Sequence, residues 1–305
     1  MLQYFLKRLG GAIPTLFIII TVSFFLVHAA PGGPFDTERH MTKEIETNLK
    51  RAYHLDESVP QQYLRYLNGL LHGDFGPSFQ SKDFSVSELI AQGFPTSLGL
   101  GSLAMLLALV IGLAAGILAA FRQNSATDYT VIGISMIGIA VPNFVMAPIL
   151  SLIFGLWLKL LPVGSWDKWS NIVLPVVALA LPQIATIARL MRGSMLEVLR
   201  SNYVRTARAK GLPNRITVMR HAIRAAIIPV VSYLGPGVAN IITGSVVIEQ
   251  IYGIPGIGRY FVQGALNRDY TLVMGVTIFY GVIIILCNLA ADLLYGVLDP
   301  KVRYD

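Results

Sequence analysis

The sequence predicts an all-α membrane protein with six transmembrane helices. Hydrophobic residues make up 54% and charged residues only 13% of its 305 positions, a composition that cannot supply the polar surface of a soluble protein. Each of six apolar runs lacks Asp, Glu, Lys and Arg and has close to the ~20 residues that a helix needs to cross the hydrocarbon core. The runs are Leu9–Ala30, Leu98–Phe121, Val131–Leu158, Ile172–Ala188, Ile227–Ile248 and Leu272–Ala291.

Residues 1–30 form the N-terminal tail and the first span. Lys7 and Arg8 precede this run and Val27-His28-Ala29 loosely resembles a cleavage site, so a signal peptide is the alternative. The apolar run is longer than the 7–15 residues typical of a signal sequence. An uncleaved anchor is therefore the favoured interpretation.

Residues 31–97 are expected to form an external helical segment. Ser58 with Gln61, and Ser85 with Glu88, have the spacing of a capping box. Tyr63, Leu67, Leu70 and Leu71 follow at helical spacing and predict an apolar face that packs on neighbouring spans. Nine acidic residues outnumber six basic ones in this segment, so it is either a docking surface for a soluble partner or a solvated surface.

Residues 98–291 are expected to form a five-span transporter core, followed by a tail at 292–305. Gly112-x-x-x-Gly116 would let a neighbouring helix approach closely. Prolines within the spans predict kinks; they are Pro142, Pro148, Pro175, Pro182 and Pro236.

The distribution of basic residues predicts the orientation. With six spans, the side of the N-terminus has fourteen Lys and Arg residues outside the long 31–97 segment, and the opposite side has four. The positive-inside rule therefore places both termini and the internal loop 190–226 in the cytoplasm.

Motifs for catalysis are absent from the sequence. It contains no GxxxxGK[ST] phosphate loop, no HExxH and no GxSxG, and its five His residues are scattered, so neither an enzyme nor a metal site is expected. Glu249 and Asp292 lie only at span ends, which disfavours an ion-coupled transporter working alone. Energy for uphill transport would have to come from another subunit.

The loop YVRTARAKGLPNRITVMRHAIRAAIIP, residues 203–229, contains six basic residues and no acidic one. At about 1 kcal/mol of lipid attraction per Lys or Arg, charge alone could hold it at the membrane. The order of residues indicates a different role. A short helix is expected to run up to Lys210 and to end at Gly211, with Tyr203, Ala207 and Gly211 on one outer face, and a second helical stretch should follow at 215–226. Such a helix–turn–helix is suited to a groove on a partner.

This loop resembles the EAA loop of ABC-transporter permeases. Arg205-Thr206-Ala207 precede Gly211 at the spacing of that motif, and Ile227-Ile228-Pro229 resembles its close, although arginine replaces the acidic first residue. Other stretches resemble the peptide-permease branch and its B-type subunit in bacterial oligopeptide and dipeptide importers. They are Ala30–Pro34, Gly73–Ser78, Glu249–Gly258, Asn267–Tyr270 and Asp299-Pro300.

The resemblance implies a multi-pass permease of the bacterial inner membrane, with the ABC-importer permease fold, that imports oligopeptides. In that family two permeases form the pathway, two ATPases bind ATP and Mg²⁺, and an external binding protein delivers the peptide; no cofactor or nucleic acid is expected on this chain. The resemblance assigns ATPase coupling to Tyr203, Arg205, Thr206, Ala207, Lys210 and Gly211. It places Glu249, Tyr252, Pro255 and Gly256 at the external mouth, although this stretch would also serve as a simple connector.

Three alternatives stay open. A related importer for dipeptides, glutathione or nickel shares much of this pattern. A stand-alone secondary transporter and a non-transporting scaffold, whose basic loop binds lipid or a signalling partner, would each lack an associated ATPase.

Overall fold

The computed structural model describes residues 2–30, 47–48, 51, 53–81 and 83–298. Predicted features at 31–46 and 299–305, including most of the Ala30–Pro34 stretch and the basic residues of the tail, lie outside this range. The principal helices are α1 (Leu2–Ala29), α2 (Val59–Leu71), α3 (Val86–Phe121), α4 (Ala126–Ala140), α5 (Asn143–Leu150), α6 (Trp169–Leu199), α7 (Asn202–Ala209), α8 (Ile228–Tyr252), α9 (Ile257–Leu266) and α10 (Tyr270–Leu298).

Five helical segments in the described chain are long and apolar enough to cross a membrane. They are Gly10–Ala29, Val86–Phe121, Trp169–Leu199, Ile228–Tyr252 and Tyr270–Leu294. A sixth candidate is the pair formed by α4 and by α5 with its π-helical continuation Ser151–Trp157. The all-α, multi-span class is confirmed, and the predicted number of six spans holds if this pair is one span.

The predicted span Val131–Leu158 is bent rather than continuous. Its two halves meet at an angle of 109°. Val141 is extended at φ −89° and ψ 117°, because the residue before a proline avoids the α-helical region. Pro142 then begins α5 as its N-cap. The other prolines that were expected to kink the spans lie inside helices that continue past them.

The chain divides into two compact units, one comprising chiefly residues 98–254 with 284–298 and the other residues 9–97 with 255–283. The first unit is built around α6, whose buried residues include Leu179, Ile187 and Met191. Gly112 and Gly116 confirm the predicted close approach, since a Cβ at Gly116 would lie 2.5 Å from the Ala188 carbonyl oxygen. The two glycines thus allow α3 to pack directly on the α6 backbone.

The second unit has its own apolar core. Val86, Leu89 and Ile90 from the start of α3 pack with Ile257, Leu272 and Val276. The Ser85–Glu88 capping box is confirmed, because the Ser85 N–H donates to Glu88 Oε2 at 2.8 Å and the Glu88 N–H donates to Ser85 Oγ at 3.3 Å.

Helix α2 packs on α1 through Tyr63. The Tyr63 hydroxyl lies 2.7 Å from Thr21 Oγ1, and its ring centroid lies 5.1 Å from that of Phe24. This contact confirms the prediction for Tyr63, and Leu67 and Leu70 are half-buried. The expectation was wrong for Leu71, which is 84% exposed, because it is the last residue of α2 and His72 already ends the helix.

Candidate functional site

The basic loop begins where α6 ends. Ser201 is the N-cap of α7, with extended backbone at φ −68° and ψ 154°, and its hydroxyl donates to the Val198 carbonyl at 2.6 Å. The Ser201 N–H donates to the same carbonyl at 3.0 Å, so two bonds hold the start of α7 against the end of α6. All six basic residues of the loop are exposed: Arg205, Arg208, Lys210, Arg215, Arg220 and Arg224. Their charge is therefore available to lipid headgroups or to a partner.

Helix α7 has one buried face and one exposed face. Val204 is 0% exposed and Ala207 is 5% exposed; they are three residues apart and share a side of the helix. The sequence placed Ala207 on the outer face with Tyr203 and Gly211, and this placement was wrong, because burial of Val204 in the core sets the rotation of the helix. The exposed face instead presents Tyr203, Thr206 and Lys210, with Arg205 exposed beside it.

Gly211 ends α7 in the left-handed region. Its φ is +77°, as the sequence predicted for a residue in this position. The Gly211 N–H donates to the Arg208 carbonyl at 2.9 Å and the Leu212 N–H donates to the Ala207 carbonyl at 3.3 Å. These two bonds form a Schellman motif, in which glycine is favoured because a Cβ is penalised at positive φ.

The second half of the loop returns the chain to the core. The predicted helix at 215–226 is present as three consecutive pieces, Asn214–Ile216, a π-helical turn Thr217–Ala222, and Ile223–Ala226. Val218, Ala222 and Ala226 are buried in the same core as Val204. Both arms of the loop are therefore anchored, and the turn at Gly211 lies between them.

A buried ion pair, which the sequence did not reveal, ties the loop end of α6 to α4. Arg192 Nε and Nη2 donate to Asp128 Oδ1 and Oδ2 at 2.5 and 2.8 Å. The Asp128 side chain is 1% exposed and that of Arg192 is 22% exposed. The Asn124 N–H donates to Asp128 Oδ2 at 3.0 Å. The Ser125-x-x-Asp128 spacing at the start of α4 is the local signal that could have singled out the carboxylate.

The four external-mouth candidates are divided in the structure. Glu249 and Tyr252 lie in the last turn of α8, where they are 0% and 2% exposed, and the Tyr252 hydroxyl donates to the Ala147 carbonyl at 3.0 Å. Gly253 then turns the chain at φ +65°, Pro255 is exposed and Gly256 is buried. Their place at an external mouth stays a prediction. Of the four, only Pro255 has an exposed side chain.

The chain combines several membrane-crossing helices, one bent helix pair and an exposed loop anchored to its core, as a membrane transport component would. The family model described as "Binding-protein-dependent transport system inner membrane component" matches residues 112–304, and the N-terminal model of the same kind of system matches residues 1–101. The chain belongs to this family of inner-membrane transport components. It is therefore a multi-pass protein of the inner membrane.

Curated relatives match over the whole chain. The chain is 53% identical over 306 residues to the oligopeptide transport system permease protein OppB of Escherichia coli K12, covering 100% of both chains. It is 43% identical to the dipeptide transport system permease protein DppB of Bacillus subtilis 168, over 99% of this chain and 98% of that protein.

A solved structure supports the fold. A chain of the inward-facing MetNI methionine ABC transporter matches with a TM-score of 0.59 at 18% identity, over 69% of this chain and 96% of that chain. At this identity the similarity concerns the fold alone, and it confirms the ABC-importer permease architecture.

Proposed function

We propose that this chain is the permease subunit of an ATP-driven importer that carries oligopeptides across the inner membrane. The observation that supports this most strongly is the 53% identity to an oligopeptide permease, in a match that covers 100% of both chains. The dipeptide permease at 43% is more distant. Dipeptides are therefore the second candidate substrate, and glutathione and nickel follow.

The proposed coupling surface is the exposed face of α7. Tyr203, Thr206 and Lys210 form it, Arg205 flanks it, and the Gly211 turn closes it, while Ala207 fixes the helix to the core from the other side. A short, rigid helix that projects from an anchored loop is suited to a groove on a partner. ATP and Mg²⁺ would be bound by two partner ATPases, and this chain would hydrolyse no nucleotide.

The other proposed partners are a second permease and an external peptide-binding protein. Both termini and the loop 190–226 would be cytoplasmic, so that the ATPases dock on the side where α7 is exposed, and residues 31–97 would face the binding protein. The fourteen-to-four distribution of basic residues supports this orientation.

The test is uptake by cells that lack their own peptide importers and produce this chain with the remaining subunits. Labelled tripeptides should enter, in competition with unlabelled oligopeptides but not with glutathione or Ni²⁺. The matched control replaces the phosphate-loop lysine of the ATPase subunit and should abolish uptake. Uptake by this chain alone would indicate a secondary transporter, and absence of all uptake with every subunit at normal levels would favour a scaffold.

A further inference from the structure

Helix α8 has a polar stripe along most of its length. Between Ser232 and Gln250 its exposed residues are Ser232, Pro236, Asn240, Thr243, Val247 and Gln250. At 3.6 residues per turn they fall within about 80° of the helix circumference, and they extend over about 27 Å along the axis. That length is close to the ~30 Å of the hydrocarbon core. The stripe contains four side chains with hydrogen-bonding groups and no charge.

The opposite face of α8 is packed, so the stripe is held in place. Gly237 allows the helix to approach α3, since a Cβ there would lie 3.2 Å from Met105 Cε. The Tyr233 hydroxyl donates to Gln183 Oε1 of α6 at 2.7 Å. Ile241 and Ile248 are buried at 4% and 0% exposure. These contacts fix the rotation of α8 and leave the polar side outward.

Helix α3 provides the contrast. From Leu98 onward its exposed residues are apolar except for Ser102, and Leu106 and Val110 are 60% and 62% exposed. The most apolar window of α3 has a mean hydropathy of 2.7, whereas that of α8 has 1.4, the lowest of the five long membrane helices. The exposed side of α3 is suited to lipid, and that of α8 is not.

A polar face at membrane depth must meet either water or protein, because lipid offers no hydrogen-bonding partner. The Ser232 and Thr243 hydroxyls donate to the carbonyls of Ile228 and Ala239 within the helix, at 3.1 and 2.9 Å. Their oxygens keep acceptor capacity, and the Asn240 and Gln250 amides offer donors and acceptors. Neutral groups of this kind match the main-chain amides that every peptide shares, whatever its side chains.

We infer that the α8 stripe, through Ser232, Asn240, Thr243 and Gln250, lines a water-filled peptide pathway and contacts the main chain of the cargo. This inference rests on the proposed function, because it assumes that the cargo is a peptide. It assigns to this subunit a neutral surface that tolerates cargo of either charge.

The test uses single cysteines in a Cys287→Ala background of the complete transporter in membranes. Asn240→Cys and Thr243→Cys should react with a hydrophilic thiosulfonate at least about ten-fold faster than Leu106→Cys and Val110→Cys, because the reactive thiolate forms where water reaches. A transported tripeptide should slow the α8 reactions. The peptide should not change the reaction rate of a Gln80→Cys control, which lies at an exposed position of the other unit.

Three results would overturn the inference: equal reactivity on α8 and α3, no protection by peptide, or unreactive α8 cysteines that crosslink to the second permease instead. If the parent transporter carries peptides while any of these results is found, the stripe is wrongly assigned and the proposed function stands. If the parent transporter carries no peptide, the proposed function itself fails. Two variants of Asn240 add a second readout: Asn240→Gln keeps the amide and Asn240→Leu removes it. Uptake should fall several-fold more for the leucine variant at equal membrane levels.

Discussion

Arg192→Ala is expected to destabilise the protein by about 3 kcal/mol, the lower end of the usual cost of breaking a buried ion pair. The structure sets this magnitude. Arg192 supplies both charged contacts of a carboxylate that is 1% exposed, and the Asn124 N–H at 3.0 Å remains to compensate in part. The lower end applies because the Arg192 side chain is 22% exposed, so water can enter the space that it leaves.

The assay is the apparent unfolding temperature of the purified transporter in detergent. At about 2 °C per kcal/mol for a chain of this size, the shift should be roughly 6 °C. Arg200→Ala is the control on the same helix end. Its side chain donates to Gln123 Oε1 at 3.1 Å in an exposed position, so the change should cost within about 0.5 kcal/mol.

A double-mutant cycle isolates the pair itself. Asp128→Asn combined with Arg192→Ala should be more stable than the sum of the two single changes predicts, by about 1–3 kcal/mol, because no uncompensated charge stays buried. The reasoning would be refuted if the stability losses of the two single changes were additive in the double variant. It would also be refuted if Arg192→Ala and the Arg200→Ala control had the same unfolding temperature.

Three further predictions concern the loop, the orientation and the helix packing. Gly211→Val should abolish uptake and ATPase co-purification at normal membrane levels. Gly211→Asn should keep both, because asparagine tolerates positive φ, and so should Arg215→Ala, which loses only about 1 kcal/mol of lipid attraction. The reverse pattern would show that the loop is an electrostatic tether. In a cysteine-free background, Gln80→Cys but not Asn214→Cys should react with an impermeant reagent in whole cells, and labelling at 214 alone would invert the topology. Gly116→Leu should lower membrane levels of the protein more than Gly133→Leu, since a Cβ would meet the α6 backbone at 2.5 Å in the first case and nothing within 4 Å in the second; equal levels would contradict the packing.

Local sequence signals were enough to predict the class of fold and the positions at which several helices begin or end. An uncharged run of about twenty residues has few alternatives to a membrane helix. Gly211 could be placed at positive φ because the end of a helix is decided by a few neighbouring residues. The Ser85–Glu88 capping box held for the same reason.

Features that depend on distant residues could not be read from the sequence. Asp128 and Arg192 are 64 positions apart, and hydropathy does not show that their charges meet. Ala207 is buried because the packing of Val204 in the core sets the rotation of α7, and the residues of that core are distant in sequence. Glu249 and Tyr252 looked like loop residues beside Gly253, but α8 extends through them and buries both. The sharp bend at Pro142 was expected only as a kink, because its angle depends on packing of α5 against neighbouring helices.

The packing of α6 explains how a short surface loop could act on helices in the membrane. Arg200 and Ser201 separate α7 from α6, and Val204 is 0% exposed, so α7 cannot swing freely on a linker. The Arg192–Asp128 pair ties the same end of α6 to α4, and Gly116 brings α3 against it. Because close-packed interiors transmit displacement rather than absorb it, a push on the exposed face of α7 would reach α3 and α4 through α6. None of the six exposed basic residues from Arg205 to Arg224 has a side chain in this series of buried contacts. The path by which α7 would act on the membrane helices is therefore set by buried packing. The positive charge of the loop is exposed, and the part of it on Lys210 lies on the proposed coupling surface.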